Sequence, residues 1–79
     1  MSNVNWRVCQ YIYEKWIVKS VSQRAFALDH DIEESVVRKI KRAALNNDQV
    51  NYSIPVITLK KICDGEEITL AEFFSRVEL

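Results

Sequence analysis

One glycine (Gly65) and one proline (Pro55) in 79 residues are too few to turn a multi-stranded β domain, whose tight reversals depend on both residue types. No apolar run approaches the roughly 20 residues of a membrane-spanning helix. The opening MSNVNWRVCQ is polar and interrupted, without the pattern of a signal peptide, so a cytoplasmic protein is expected. Two cysteines, Cys9 and Cys63, and one histidine, His30, cannot assemble a metal-ligand group. Neither metal nor cofactor is expected, and both thiols are expected to be buried or half-buried. An excess of either charge is also lacking: 11 Lys and Arg face 11 Asp and Glu. The general attraction of a basic protein for nucleic acid is thereby removed, and any such site must be local.

What is present is 48% hydrophobic residues, enough for one core in a chain this short. A domain of this size buries only about 60% of its unfolded surface, which makes dimerisation plausible on size alone. The apolar residues recur at helical spacings, so the class is all-α with five helices. Val4, Val8, Ile12 and Trp16 repeat every four residues, flanked by Cys9 and Tyr13, and predict an amphipathic helix over about 4–18 with Asn3 as a cap. Ser22 can cap a second helix over 22–29, with Phe26 as its main core residue. His30-Asp31-Ile32 then supplies a turn in which Asp31 tolerates a left-handed backbone, and Glu33-Glu34 suit the start of a third helix that turns Val37 and Ile40 inward and reaches about residue 43. A polar, Asn-rich connector over about 44–54 ends at Pro55. Leu59 and Ile62 mark the buried face of a fourth helix, which Asp64-Gly65 terminates. Thr69 and Glu72 form a capping-box pattern opening a fifth, with Leu70, Phe73, Phe74 and Val77; Phe73, Phe74, Val77 and Leu79 form an apolar stripe expected in the core, with any excess available to a second subunit, and helices four and five span about 56–77.

Arg38, Lys39, Lys41 and Arg42 bring four cations within five positions of the third helix, with Arg24 in the helix before it. Charges clustered in this way can attract phosphates although the total is zero, because the local potential governs within a Debye length of about 8–10 Å. On most helices such a run is simply a solvated face.

The order of residues over 22–42 resembles the Cro/repressor-type (XRE-like) helix-turn-helix DNA-binding domains. Ser22-Gln23 opens the scaffold helix, Phe26-Ala27 stands where the family has a large apolar residue followed by Ala, Asp31-Ile32 resembles its turn Gly and aliphatic residue, and Val37 and Ile40 match its two inward positions. Pro55, Thr58-Leu59, Ile62 and the run Ile68-Thr69-Leu70-Ala71-Glu72-Phe73-Phe74 are similar to the family's fourth and fifth helices. The resemblance implies a compact five-helix, lambda-repressor-like domain and a transcriptional regulator that reads duplex DNA. It assigns Gln23 to a phosphate, Glu34, Ser35 and Lys39 to base edges, and Val36 and Arg38 to positions beside them. Lys39 can donate to guanine O6 or N7, Glu34 can accept from a cytosine amino group, and Val36 can touch a thymine methyl. Lys41 and Arg42 suit phosphates. Asp31 stands where Gly is usual, the connector is longer than typical, and Glu33-Glu34 bring two acids to the end nearest the duplex.

A homodimer on a palindromic site follows from the small footprint of one module, with helix five and Trp or Tyr residues of helix one as its contact surface. The alternative keeps the fold without strong DNA binding, as a protein-interaction module of antitoxin-like or anti-repressor type, which the neutral charge and Glu33-Glu34 favour. Trp6, Tyr11, Tyr13 and Trp16 read as core or dimer surface ahead of a stacking platform. His30 suits the end of a helix, where it can bond the last carbonyls. No nucleophile accompanies it, Ser22 and Ser35 suit a cap and a surface contact, and no enzyme or small-molecule effector site is expected.

Overall fold

The computed structural model describes residues 4–46 and 51–77, and among them the chain is all-helical. Helix α1 (Val4–Ile12) passes without a break into a π-helical segment (Tyr13–Ile17). It is followed by α2 (Gln23–Asp29), α3 (Glu34–Asn46), α4 (Val56–Gly65) and α5 (Leu70–Val77). The cap expected at Asn3, the middle of the connector at 47–50, and Leu79 lie outside the described residues.

The π-helical segment corrects the expectation of one regular helix. Its wider turn is closed by the Val18 N–H donating to the Tyr13 carbonyl at 3.0 Å, five residues back. The buried positions run Val8, Cys9, Ile12 and then Ile17, an interval of five that a regular turn of 3.6 residues does not reach. Trp16, expected in line with Ile12, is instead half-buried against the rings of Tyr11 and Phe73, with centroids at 5.4 and 5.8 Å. Val4 is exposed, so the helix's apolar line starts at Val8.

Local chemistry sets the limits of the other helices. The Ser22 hydroxyl accepts from the Ala25 N–H at 3.0 Å, satisfying one of the amide donors left open at the start of α2. At the other end Asp31 takes a left-handed backbone (φ 55°), the Ile32 N–H reaches the Ala27 carbonyl at 3.0 Å and the Asp31 N–H reaches that of Leu28 at 3.4 Å, the two bonds of a Schellman ending. α4 closes the same way: Glu67 is left-handed (φ 61°), the Ile68 N–H bonds the Cys63 carbonyl at 3.0 Å and the Glu67 N–H that of Asp64 at 3.1 Å. Gly65 is thus the last helical residue of α4, and the terminating role expected for Asp64-Gly65 belongs to Glu67. The Thr69–Glu72 capping box is formed: the Glu72 N–H donates to the Thr69 hydroxyl at 3.0 Å and the Thr69 N–H to the Glu72 carboxylate at 3.4 Å.

Phe26, Val37, Ile40, Ala43, Ile62, Cys63 and Phe73 meet Val8, Cys9, Ile12 and Ile17 in one core. Burying each large side chain contributes about 1.5–3 kcal/mol, so truncating Phe26 to Ala is expected to cost about 3–5 kcal/mol. Both cysteines are buried and unbridged, and burial pushes the Cys9 thiol up to about 11. Phe74, expected in the apolar stripe of α5, is partly exposed, while Phe73 and Val77 are buried. No helix among the described residues is long and apolar enough to cross a membrane.

Candidate nucleic-acid interface

α3 runs further than the sequence suggests. It begins at Glu34, because Glu33 contributes its carbonyl to the first turn, accepting from Val36 N–H at 3.0 Å and Val37 N–H at 3.4 Å. It continues to Asn46, whose side-chain amide donates to the Arg42 carbonyl at 2.7 Å and closes the last turn. The extra turn absorbs part of what was expected to be connector.

Val37, Ile40 and Ala43 fix one side of α3 in the core. By helical spacing the opposite side carries Glu34, Arg38 and Arg42, four residues apart, with Ser35 and Lys39 beside them. Glu34, Arg38, Lys39 and Arg42 are exposed and Ser35 is half-buried. Three cations and one acid leave this face with two positive charges in a neutral chain. The acid is not loose: Arg38 donates to Glu34 at 3.2 Å, one turn apart. Glu33 accepts from the Ser35 hydroxyl at 3.4 Å.

Two predicted contact residues of α3 lie off this face. Val36 is half-buried against the core and lines a cleft with Ile32, Thr58 and Lys61. Lys41 is half-buried on the other flank, in a depression shared with Gln23, Ser22 and Tyr13. Lys41 and Gln23 are therefore brought together at the start of α2, where Arg24 is exposed on the next position. The residues assigned to DNA thus divide into an α3 face and an α2-side flank.

Other residues hold this arrangement and carry little local signal in the sequence. His30 is buried at the end of α2, stacked on Phe26 with ring centroids 4.0 Å apart. Its Nδ1–H donates to the Phe26 carbonyl at 2.8 Å, as expected for a histidine at a helix end, and Nε2 shares a hydrogen bond with Glu66 at 2.5 Å. Lys61 of α4 donates to the Asp31 carbonyl at 3.2 Å and lies 3.5 Å from its carboxylate, tying the turn before α3 to the next helix. Tyr52, an aromatic residue in a polar connector, has its ring centroid 5.8 Å from Lys39 Nζ. Burial, and secondarily the charge of Cys9, pushes the Tyr52 phenol above its ordinary value. Among the described residues no group of three or more His, Cys, Asp or Glu side chains is gathered to hold a metal ion.

No family model, curated protein or solved structure matches this chain.

Proposed function

We propose that this chain is a helix-turn-helix domain that binds duplex DNA sequence-specifically and regulates transcription, with α3 entering the major groove and α2 bracing it. The observation that carries this reading is the α2–turn–α3 unit. A Ser22-capped helix ends in a left-handed Asp31, and the following helix buries Val37, Ile40 and Ala43 while keeping Glu34, Arg38, Lys39 and Arg42 exposed on the side away from the core. The resemblance to Cro/repressor-type domains supports the same assignment. In it Glu34, Ser35 and Lys39 read base edges, Arg42 holds phosphates, and Gln23, Arg24 and Lys41 form the flank toward the backbone. In the Glu34–Arg38 pair the repulsion of phosphates by the acid is offset by the guanidinium one turn on.

In this reading two copies bind a palindromic site with half-sites about one helical turn apart. The surface proposed for the dimer is α5 with its partly exposed Phe74, together with the half-buried Tyr11 and Trp16 of the neighbouring helix. A second reading, a protein-interaction module, is favoured by Val21 just before α2 and Leu28 within it, which are 97% and 71% exposed.

Selection from a random duplex library tests the first reading. Lys39→Ala should relax preference at one position at a cost of about 1–3 kcal/mol, whereas Arg42→Ala should weaken all sequences alike. Phosphate contacts make log K fall with log salt at about −0.9 per phosphate, a dependence that a protein partner does not produce. Failure to enrich any sequence, with no binding to nonspecific duplex at low salt, sinks the DNA reading and leaves the protein-interaction reading.

A further inference from the structure

We infer that Tyr52, in the connector after α3, is a positioning residue for Lys39: its ring holds the Lys39 ammonium at the edge of the α3 face, ready for an acceptor on a base. The inference rests on the DNA-binding reading above.

Lys39 is the one exposed cation of that face for which an aromatic partner is found among the described residues. Arg38 is engaged by Glu34, whereas Lys39 has its Nζ 5.8 Å from the Tyr52 ring centroid, within reach of a cation–π attraction. Three contacts hold Tyr52 and its backbone in place. It is half-buried against the core, the Tyr52 carbonyl accepts from the Cys9 thiol at 3.6 Å, and the adjacent Asn51 side chain accepts from Asn5 at 3.1 Å. The connector is therefore pinned to α1 at the point where it passes α3. A lysine stem has several rotatable bonds, and ordering it on binding opposes affinity. A fixed ring removes part of that cost beforehand. It also leaves the ammonium with donors for guanine O6 and N7, since the ring face is no hydrogen-bond acceptor of comparable strength.

The connector residue thereby acts on specificity through another side chain. Its contribution, taken from a partly exposed cation–π contact, amounts to about a 2–5-fold loss of discrimination when the ring is removed.

The test uses the full chain on an enriched duplex and its single-base variants, read by fluorescence anisotropy at fixed salt. Tyr52→Phe keeps the ring and should match the wild type. Tyr52→Leu and Tyr52→Met should each lower discrimination at the base read by Lys39 by about 2–5-fold with the salt slope unchanged. Neither should have any further effect in a Lys39→Ala background. The ring-current shift of the Lys39 ε-methylene in NMR spectra of the free protein should vanish in both and persist in Tyr52→Phe. Wild-type discrimination in the Leu and Met variants overturns the inference, as does an equal loss in Tyr52→Phe, or a loss undiminished in the Lys39→Ala background. Absence of any duplex binding by the wild type overturns the DNA reading and this inference together, and is distinguishable because it precedes any comparison of variants.

Discussion

His30 and Glu66 occupy the same position at the ends of two different helices, and they bind each other. Each is the residue following the last helical position, His30 after Asp29 of α2 and Glu66 after Gly65 of α4, and their side chains meet at 2.5 Å. Each is followed by an acid in the left-handed conformation, Asp31 or Glu67, and then by a half-buried isoleucine, Ile32 or Ile68. The same ending has been built twice, and the two copies are joined side by side.

That junction explains the chain's only glycine. Gly65 is helical, so its backbone does not require glycine, but a Cβ there would approach the His30 ring to 2.4 Å. Gly65→Ala should therefore lower stability by about 1–3 kcal/mol through overpacking, against the gain of about 1 kcal/mol that helix propensity alone would give. In a His30→Ala background the same change should be neutral or stabilising. Urea denaturation of the four proteins of this cycle checks the coupling.

Asp31 carries the left-handed turn ahead of α3 without being glycine. Asp31→Val should cost about 1–2 kcal/mol, because a β-branched side chain resists this backbone, whereas Asp31→Gly should fall within about 1 kcal/mol of wild type. Both substitutions remove the carboxylate that faces Lys61, but that ion pair is exposed and its removal adds little to either effect. Thermal melts of the two variants decide the point.

Glu34 restrains Arg38 at 3.2 Å. Glu34→Ala should free that guanidinium and remove one negative charge from the α3 face. Binding to nonspecific duplex should tighten, with a salt slope steeper by up to about 0.9 if Arg38 gains a phosphate. Preference at the base read by Glu34 should be lost in the same variant. Anisotropy titrations across a salt series measure both effects.

Cys9 gives a pH dependence whose sign follows from burial. Its thiol ionises near 9 when unfolded and at about 11 when folded. Between those values the unfolded chain holds fewer protons than the folded one, so this contribution, complete below pH 9, is lost as pH rises toward 11. The decline amounts to about 1–3 kcal/mol. Cys9→Ala should show a correspondingly shallower fall, in denaturation curves taken at pH 8, 9 and 10. Thiol reagents should react with native Cys9 far more slowly than with the unfolded chain, because the thiolate is the reactive form.

Features governed by neighbours in sequence were legible before the fold was known. The Ser22 cap, the left-handed Asp31, the Thr69–Glu72 capping box and the inward Val37 and Ile40 all depend on residues within a few positions of one another. Features governed by distant residues were not. His30 and Glu66 are 36 positions apart, Cys9 and Tyr52 are 43 apart, and no periodicity connects them. The π-helical segment escaped for a related reason: Val8, Ile12 and Trp16 satisfy a regular helix, whereas in the fold Trp16 packs on Phe73 of α5 and Ile17 is the buried residue. In the candidate interface the charged residues of α3 could be named from sequence. The division of Val36 and Lys41 onto its flanks depends on how α2 and α4 pack around it.

The pairing of His30 with Glu66 has a consequence for modularity. The α2–turn–α3 unit has its own cap and its own turn, yet the ring at its hinge is gripped by a residue that belongs to the end of α4. A graft of residues 22–46 onto another scaffold would carry the caps but leave His30 without its carboxylate partner. Any transplantable cassette must therefore extend at least through Glu66, so α3 travels with the helix behind it.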